Sequence, residues 1–500
     1  MNLSLLLDMA ASAMPDRVGI IAGDIELTYA DLAQRALAAA QMFAATPNAE
    51  RVVMVDLNSA AVPIALYGAA LAGVPFVPVN YRLTDEQLRA IVTRTAPAIL
   101  IAGTGVSARV EGIDGITIVE RDEFLERTRV QPSAEPAVDA DPESIAVLLY
   151  TSGTTGEPKA AVLRHSNLAS YILSTIDLAA ADEDEAALVS VPAYHIAGVS
   201  AVLSSGYAGR RIVYLETFDP QQWVAAVERH KITHTMVVPT MLGRILDEIE
   251  SSGCALKSLR SLSYGGGPMP LAVISRAMTL LPHVGFVNAY GLTETSSTIA
   301  VLGPDDHRAA AASDDPVVRR RLTSVGRPLP TIELTIRDAD GNAVGPNEKG
   351  EIWVAGPQVS GEYLGRDGDG SPWFNTRDAG ELDDEGYLYV HGRLDDVIVR
   401  GGENLSPGEI EFVLVEHPAV EQAAVVGIPD VEWGERVVAA VVPKPGAEVT
   451  EDELRDYVRT RLRSTRTPER IEFRDELPTN ETGKLLRRVL RSELAEAFPS

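Results

Sequence analysis

A run of small hydroxylated residues and glycines near residue 150 has the composition of a phosphate-binding loop. It reads Thr151, Ser152, Gly153, Thr154, Thr155, Gly156, Glu157, Pro158 and Lys159. Glycines let the backbone turn tightly, so that its N–H groups and the neighbouring hydroxyls can point at phosphate oxygens. Lys159 adds a positive charge. The run does not end in the Gly-Lys-Ser/Thr of a Walker A loop, and for a shorter run a surface turn would be the simpler interpretation.

The net charge indicates that any polyphosphate ligand is held locally and not by a basic surface. The 500 residues include 44 Lys and Arg against 71 Asp and Glu, a formal charge of −27. A surface of that sign repels nucleic acid and anionic lipid, so we expect no nucleic-acid partner. Backbone N–H groups, a divalent cation and a few placed side chains must then bind the phosphates.

Cysteine content and hydropathy predict a soluble cytoplasmic protein. Cys254 is the one cysteine of the sequence, so an internal disulfide cannot form. The first 17 residues have a short apolar run broken by Asp8 and no basic region before it. This pattern is typical of an amphipathic helix and not of a signal peptide. No uninterrupted apolar stretch is long enough to span a bilayer, so we expect no membrane span.

Alternating strands and helices are predicted to position the loop. Residues 51–57 and 74–79 read as buried strands with an Ala-rich helix between them. Thr28 and Asp31 form a capping-box pattern at the start of another helix. The same strand–helix order recurs around Trp223. We therefore predict an α/β fold of layered, largely parallel sheets.

The pattern changes near Pro328, where alternating residues and turn signals predict a β-rich subdomain. Asp340-Gly341 lies between alternating residues and predicts a β-hairpin. After Arg393 the pattern is that of a small α+β unit. Its predicted elements are a helix from Pro407, strands at 423–428 and 437–442, a helix from Glu451, a loop at 478–484 and a final helix.

Two further motifs follow the loop along the chain. They are Asn288-Ala289-Tyr290-Gly291-Leu292-Thr293-Glu294 and Ser324-Val325-Gly326-Arg327-Pro328. Together with the run at 151–159, they make the chain resemble the adenylate-forming (AMP-binding) superfamily, in its acyl- and aryl-CoA synthetase branch. The resemblance covers essentially the whole chain, to about residue 487.

The resemblance implies that these motifs form one site for ATP. Glu294 and Thr151 would hold magnesium, and the Tyr290 ring would lie near the adenine. Asp378 and Arg393 would bind the ribose hydroxyls; a turn residue and a solvated surface charge are the alternatives for these two. The implied nucleotide-binding set is Thr151, Ser152, Gly153, Thr154, Thr155, Gly156, Lys159, Gly266, Gly267, Pro268, Asn288, Ala289, Tyr290, Gly291, Thr293, Asp378, Arg393 and Lys484.

The chemistry that the resemblance implies is the activation of a carboxylic acid. A carboxylate is a poor electrophile and its charge repels a triphosphate, so cations must screen that repulsion while the acid oxygen lines up with the α-phosphorus. Lys484 would stabilise the developing charge, and a lysine at a helix start is its alternative. The products are acyl-AMP and pyrophosphate, and a thiol then attacks the activated carbonyl. The expected cofactors are ATP, Mg²⁺ and coenzyme A.

The resemblance also implies two domains joined by a hinge. The N-terminal AMP-binding domain would cover 1–392, with its β-rich subdomain at about 324–392, and a small mobile lid domain would cover 393–500. Asp395 would be the pivot of the hinge. After rotation the CoA path would be lined by Gly401, Gly402, Glu403, Asn404 and Trp433. A core tryptophan is an equal alternative for Trp433.

The acid pocket is expected between two segments of the large domain. Its residues would be Tyr194, His195, Gly198, Tyr264, Gly265 and Leu292. His195 would guard the carboxylate site, although an isolated histidine is more often structural. The implied catalytic set is Lys484, Glu294, His195 and Thr151. No aspartate stands near the first segment to pair with an α-amine, so we expect an acid without an ammonium group, and small residues leave room for a bulky apolar one.

Three departures from the family pattern concern mainly the thiol step. Arg377 stands before Asp378, where glycine is usual. Residues 360–375 form a shortened segment, and Thr465-Arg466 replaces the usual Tyr-Lys pair. A basic stretch could meet the phosphates of CoA, although a solvated helix face is the simpler interpretation; it consists of Arg459, Arg461, Arg463, Arg466 and Arg470.

The sequence therefore predicts an ATP-dependent acid–CoA ligase, that is, an AMP-forming acyl-CoA synthetase. One alternative is an acyl-AMP ligase that loads a carrier-protein thiol. The other is a non-catalytic relative that binds AMP or an acyl group. The expected partners are a carboxylic acid and CoA, with a carrier protein in the first alternative, and a homodimer is left open.

Overall fold

The computed structural model describes most of the chain. It covers residues 1–132, 141–151, 158–366, 370–401, 403–431, 433–462, 464–479 and 485–498, and for Asp395 and Asn404 only the backbone. Several predicted site residues lie outside the described residues: Ser152, Gly153, Thr154, Thr155, Gly156, Gly402 and Lys484, together with Arg463 of the basic stretch.

The helices and strands alternate through the first two-thirds of the chain. The helices are α1 Leu3–Ala13, α2 Tyr29–Ala45, α3 Ala61–Ala72, α4 Asp85–Thr95, α5 Val106–Val110, α6 Arg121–Arg127, α7 His165–Thr175, α8 Ile196–Ala208, α9 Pro220–His230, α10 Pro239–Ser252, α11 Leu271–Leu280, α12 Pro304–Ala312, α13 Pro316–Arg320, α14 Pro407–Val415, α15 Glu451–Arg459 and α16 Arg487–Ala497. The strands are β1 Val18–Ala22, β2 Ile25–Thr28, β3 Val52–Val55, β4 Phe76–Pro78, β5 Ala98–Ala102, β6 Ile116–Glu120, β7 Ile145–Thr151, β8 Lys159–Arg164, β9 Ala186–Val189, β10 Arg211–Tyr214, β11 His234–Val237, β12 Ser261–Gly265, β13 Gly285–Leu292, β14 Ser297–Leu302, β15 Arg327–Pro328, β16 Glu333–Arg337, β17 Gly350–Ala355, β18 Phe374–Leu382, β19 Leu388–Arg393, β20 Ile398–Arg400, β21 Glu403–Leu405, β22 Val420–Asp430, β23 Gly434–Pro443 and β24 Arg470–Phe473.

A six-stranded sheet carries the phosphate-loop hairpin at its edge. Its order is β6-β5-β3-β4-β7-β8, and every neighbouring pair is parallel except β7 and β8, which are antiparallel. All four residues of β3 are buried, which is typical of a parallel strand covered on both faces. In this order β8 is the edge strand, and it runs antiparallel to β7.

A nine-stranded sheet carries most of the other predicted site residues. Its order is β15-β14-β13-β12-β11-β9-β10-β1-β2, with a parallel centre from β13 to β1. The loops after β9, β12 and β13 leave the carboxyl ends of parallel strands, so they meet at one edge of the sheet. Helices α1, α2, α3 and α8 supply buried residues to the core shared with the six-stranded sheet.

Local signals in the sequence explain several of these elements. Helix α2 begins with the predicted capping box, because the Thr28 hydroxyl accepts from the Asp31 N–H at 3.1 Å and the Asp31 carboxylate accepts from the Thr28 N–H at 2.9 Å. Trp223 of α9 is fully buried, as a core position requires. The predicted layered α/β class is confirmed.

The β-rich segment forms an antiparallel sheet of order β16-β17-β18-β19. The predicted turn at Asp340-Gly341 is present, and Asp338 N–H donates to the Asn342 carbonyl at 2.9 Å. The returning arm pairs only through a bridge between Arg337 and Ala343, since β16 takes β17 as its full partner.

The C-terminal residues build a separate sheet of order β21-β20-β23-β22, with β24 parallel to β23. Helices α14 and α15 pack on one apolar cluster of this sheet, and α16 packs on another. The predicted helices at Pro407 and Glu451 and the predicted strands are confirmed. Within the described part of the chain, no helix is both long and apolar enough to cross a membrane.

Candidate active site

The hairpin of β7 and β8 presents the two ends of the predicted phosphate loop. Thr151 is the last residue of β7 and Lys159 is the first residue of β8, and the two are register partners. The Thr151 hydroxyl donates to the Lys159 carbonyl oxygen at 3.4 Å. Because directly opposed residues project to the same face of a sheet, the two side chains start from neighbouring positions.

Glu294 lies in a short 3-10 turn that follows β13. Its side chain is buried, with 8% of the residue exposed. The Tyr363 hydroxyl donates to its Oε1 at 2.5 Å. The N–H groups of Ser360 and Gly361 both donate to its backbone carbonyl, at 2.9 and 3.1 Å. Glu294 is therefore held both through its side-chain carboxylate and through its backbone carbonyl.

Tyr363 also connects Glu294 with the phosphate-loop hairpin. The Lys159 Nζ lies 5.8 Å from the centroid of the Tyr363 ring, at the outer limit of a cation–π contact. Burial, followed by the charge of Glu294 and the hydrogen bond to it, raises the pKa of Tyr363, so the phenol stays protonated and donates. The structure thus places a cation and a carboxylate on either side of one neutral ring.

The oxygen groups at this point suit magnesium. Mg²⁺ prefers oxygen ligands and is usually bound through one or two carboxylates together with substrate phosphates and water. Glu294 supplies the carboxylate and Thr151 a hydroxyl. Among the described residues, no cluster of three or more His, Cys, Asp or Glu could hold a metal.

A second buried carboxylate, Asp378, lies in the β-rich sheet opposite Arg393. The two are register partners in β18 and β19, and Arg393 Nε contacts Asp378 Oδ1 at 2.9 Å. The Tyr290 hydroxyl donates to Asp378 Oδ2 at 2.5 Å. Burial, followed by the charge of Asp378, raises the pKa of Tyr290 far above its usual value, so this phenol also remains a donor. The predicted adenine residue and both predicted ribose residues are thereby brought together.

Arg377, just before Asp378, has a positive φ of 60°. This left-handed conformation favours glycine, the residue usual at this position in the family. Its N–H donates to the Asn375 side chain at 2.7 Å, and the Asp378 N–H donates to the Thr376 hydroxyl at 3.1 Å. The strain of a non-glycine residue at this position is therefore located in the backbone of Arg377, and Asp378 keeps its contact with Arg393.

The turn after β12 lies beside the strand that carries Tyr290. Gly265 is the register partner of Ala289, and a Cβ on Gly265 would lie 2.3 Å from the Ala289 carbonyl oxygen. The predicted residues Gly266, Gly267 and Pro268 follow directly and are exposed. Asn288 is buried, and its Nδ2 donates to the Ser324 carbonyl at 3.0 Å. This bond connects two of the motifs that suggested the family.

Tyr194 and His195 lie at the entry to α8. Their ring centroids are 4.6 Å apart, and the Tyr194 ring lies 5.8 Å from that of Tyr81. A cavity of about 50 Å³ adjoins Tyr194, with further lining from Phe218 and Met241. A Cβ on Gly198 would lie 2.4 Å from the Pro192 carbonyl oxygen, so glycine is required where α8 meets the preceding turn.

The predicted pocket residue Tyr264 has its side chain in the core. It is fully buried, and its hydroxyl is 2.8 Å from the Nε2 of buried His307. Its role toward an acid stays a prediction. The alternation along β12 puts this side chain on the core face. Leu292, another predicted wall residue, is 9% exposed.

The predicted CoA path begins at the hairpin of β20 and β21. The Gly401 N–H donates to the Trp433 carbonyl at 2.8 Å, and a Cβ on Gly401 would lie 2.9 Å from the indole ring. Trp433 is 45% exposed, so the alternative of a core tryptophan is wrong. The role of these residues toward CoA stays a prediction.

The described arginines of the basic stretch are engaged locally. Arg459 pairs with Asp456 at 2.8 Å, and Arg466 pairs with Glu409 at 3.3 Å. Arg461 lies over the ring of Tyr457, 3.4 Å from its centroid. These contacts favour the solvated-helix interpretation over binding of CoA phosphates.

Sequence reasoning missed Tyr363. The residue belongs to the shortened segment 360–375, where the sequence shows only turn residues around it. Its contact with Glu294 spans 69 positions along the chain. A single sequence carries no signal for such a pairing, because it depends on how the segment lies against β8.

Comparisons with known proteins assign the family. The AMP-binding enzyme family matches residues 7–364, and the AMP-binding enzyme C-terminal domain matches residues 409–484. The chain therefore belongs to the AMP-binding enzyme family, which confirms the predicted adenylate-forming superfamily.

Individual relatives define the class of enzyme. The chain is 34% identical over 503 residues to a feruloyl-CoA synthase of Amycolatopsis sp, covering 96% of each chain. It is 34% identical over 446 residues to a fatty acid–[acyl-carrier-protein] ligase of Streptomyces coeruleorubidus, covering 85% of this chain and 83% of that one. The o-succinylbenzoate coenzyme A synthetase of Bacillus subtilis, solved in complex with ATP and magnesium ion, matches with a TM-score of 0.82 and 30% identity, covering 97% of this chain and 98% of that one. The predicted enzyme class, an ATP-dependent acid–CoA ligase, is thereby confirmed.

Proposed function

We propose that this ligase activates a carboxylic acid at the edge where the two large sheets meet and then passes the acyl group to coenzyme A. The observation that carries the proposal is the arrangement of Lys159, Tyr363 and Glu294. It joins the phosphate-loop hairpin to the predicted magnesium carboxylate through two contacts, at 5.8 and 2.5 Å.

In the adenylation step, the chain's own residues bind and orient ATP. Lys159 offsets phosphate charge and the loop amides donate hydrogen bonds to the phosphate oxygens. Glu294 and Thr151 would hold magnesium, which would screen the repulsion between the acid and the triphosphate. Asp378 and Arg393 bind the ribose hydroxyls, and the hydrogen bond from Tyr290 orients the Asp378 carboxylate for this role. Lys484 stabilises the charge that develops at the α-phosphate.

In the thiol step, we propose a rotation about Asp395 of the residues that follow it, which withdraws Lys484 and presents the Gly401 hairpin, while Arg393 stays in β19 opposite Asp378. His195 then guards the carbonyl, and Trp433 forms one wall of the CoA path. The domain boundary after Gly392 belongs to this proposal. It is supported by the separate sheet of the C-terminal residues. A cytoplasmic location remains a prediction from the single cysteine.

A carrier-protein thiol is the second candidate acceptor. It is favoured by the similarity to the ligase of Streptomyces coeruleorubidus, whose name gives an acyl-carrier protein as its acceptor. The local pairing of Arg459 and Arg466 also removes two cations that could have met CoA phosphates. For the acid, we propose one without an ammonium group, because residues 191–198 contain no aspartate or glutamate that could pair with an amine, and the one carboxylate that lines the cavity beside Tyr194, Glu216, comes from another segment.

The experiment that tests the proposal is carboxylate-dependent exchange of labelled pyrophosphate into ATP. A panel of aryl, short-chain, long-chain and polycyclic acids is offered with magnesium, followed by CoA or a phosphopantetheinylated carrier protein. We expect exchange with at least one class of acid and thioester formation with CoA. Absence of exchange with every class would contradict adenylation, and thioester formation on the carrier protein alone would replace CoA as the acceptor.

A further inference from the structure

A short segment, residues 360–364, extends the six-stranded sheet beyond its edge strand. The Leu364 N–H donates to the Ala160 carbonyl at 2.9 Å, and the Val162 N–H donates to the Glu362 carbonyl at 3.0 Å. Ala161 and Tyr363 form an antiparallel bridge. The segment therefore lies alongside β8, the strand that begins with Lys159.

Side chains fix this segment on both sides of Tyr363. Arg164 makes a two-pronged ion pair with Glu362, at 2.8 and 3.0 Å. The Ser360 hydroxyl donates to the Val162 carbonyl. Gly361 has a φ of 60°, and a Cβ there would lie 2.9 Å from the Phe374 ring. Together with the N–H bonds of Ser360 and Gly361 to the Glu294 backbone carbonyl, these contacts fix the Tyr363 backbone without using the Glu294 carboxylate.

The Tyr363 hydroxyl therefore reaches Glu294 from a fixed support. Its bond of 2.5 Å uses one carboxylate oxygen, Oε1. The phenol is the donor in this bond, because an ionised carboxylate can only accept. A carboxylate held in this way presents its second oxygen, Oε2, in a defined direction, and partners of this kind orient metal ligands in proteins.

We propose that Tyr363 is the positioning residue for magnesium binding in this enzyme, through its hydrogen bond to Glu294. The inference rests on the proposed function, in which Glu294 holds the magnesium of ATP. The same ring lies 5.8 Å from Lys159 Nζ, so the residue is close to both the carboxylate and the cation of the candidate phosphate site. In this proposal Tyr363 acts through Glu294 and not by contact with the acid or the reacting phosphorus.

The variant Tyr363→Phe removes the hydroxyl and keeps the ring, the backbone bridge and the contact with Lys159. We expect the dissociation constant for Mn²⁺·ATP, measured by electron paramagnetic resonance, to rise about 10- to 100-fold, the usual effect of removing a partner of a metal ligand. The magnesium concentration that half-saturates pyrophosphate exchange should rise by a similar factor. Thioester formation from supplied acyl-AMP should not change, since that step has no triphosphate to neutralise.

The matched control is Tyr387→Phe. Tyr387 donates to Asp306 at 2.6 Å, the same phenol–carboxylate bond away from the candidate site. We expect this variant to leave both the Mn²⁺·ATP affinity and the magnesium requirement unchanged. Equal Mn²⁺·ATP affinity in Tyr363→Phe and the parent, or an equal shift in both variants, would overturn the inference. The parent enzyme distinguishes a failure of the proposed function from a failure of this inference. If the parent shows no carboxylate-dependent exchange, the proposed function is wrong. If the parent exchanges and Tyr363→Phe behaves like it, only the role of Tyr363 is wrong.

Discussion

At the residue scale, two protonated tyrosines hold the two carboxylates of the candidate site. Tyr290 donates to Asp378 and Tyr363 donates to Glu294, each at 2.5 Å. Hydrogen bonds to a charged acceptor are roughly twice as strong as neutral ones, so both carboxylates are ordered before a ligand binds. Burial raises the pKa of both phenols, and neither is a candidate base at physiological pH.

Arg377 gives a prediction about stability at this scale. A non-glycine residue with left-handed φ costs about 1–2 kcal/mol, and a β-branched residue tolerates that conformation poorly. We expect Arg377→Gly to raise the free energy of unfolding by up to about 1 kcal/mol, and Arg377→Val to lower it by about 1–2 kcal/mol. Urea denaturation of the three proteins measures the order. A parent more stable than Arg377→Gly would show that other contacts of Arg377 outweigh the backbone strain.

At the element scale, the entry of α8 positions the proposed gate. The Gly198 N–H donates to the His195 carbonyl at 2.9 Å, and the His195 N–H donates to the Pro192 carbonyl at 3.2 Å. These two hydrogen bonds therefore join the turn at residues 192–195 to the first turn of α8. A Cβ on Gly198 would lie only 2.4 Å from the Pro192 carbonyl oxygen, so this position has no room for a side chain.

Gly198→Ala should therefore move the turn that carries Tyr194 and His195. We expect a loss of stability of about 1–3 kcal/mol and a higher KM for the acid, because overpacking against backbone forces the turn to shift. The matched control is Gly243→Ala in α10, where an added Cβ meets nothing within 4 Å. That change should raise helix stability by up to about 1 kcal/mol and leave the KM unchanged. An unaltered acid KM in Gly198→Ala would argue that this turn does not border the acid.

Elements with strong local signals were predictable from the sequence. The capping box at Thr28, the buried strand β3 and the C-terminal helix at Pro407 follow from periodicity and end signals. Contacts between distant segments were not. The burial of Tyr264 against His307 depends on the register of β12 in its sheet, and the pairing of Tyr363 with Glu294 depends on docking of a turn-rich segment.

The order of family motifs allowed more of the site to be predicted than local pattern alone. Tyr290, Asp378 and Arg393 lie far apart in the sequence, and the resemblance predicted that they share one ligand. The structure brings them within hydrogen-bonding distance of one another through Asp378. Their roles toward ATP stay predictions until binding is measured.

At the scale of the whole molecule, contacts of Arg487 connect the hinge with the segment that carries Lys484. Arg487 Nε lies 3.2 Å from Asp396 Oδ2, and its guanidinium also pairs with Glu411 of α14. Residues 479 and 485, which flank the undescribed segment, form an antiparallel bridge. The described residues on both sides of Lys484 are therefore attached to the C-terminal sheet.

Lys484→Ala should separate the two half-reactions. We expect it to abolish most pyrophosphate exchange, by about 100-fold or more, because it removes a cation from the developing charge. Thioester formation from supplied acyl-AMP should remain near the parental rate. Arg488→Ala, an exposed neighbour on α16, removes the same charge and should affect neither reaction. Equal loss of both half-reactions in Lys484→Ala would contradict the proposed role of this lysine.

The central claim is that an acid oxygen attacks the α-phosphorus of ATP held between Lys159 and Glu294. The direct measurement uses an acid labelled with heavy oxygen in its carboxylate, and mass spectrometry of the nucleotide and phosphate products after turnover with CoA. We expect AMP carrying one heavy oxygen atom and unlabelled pyrophosphate, since the bridging oxygen of acyl-AMP stays with the nucleotide when the thiol attacks the carbonyl. Label in inorganic phosphate together with ADP would mean attack at the terminal phosphorus and would rule out adenylation.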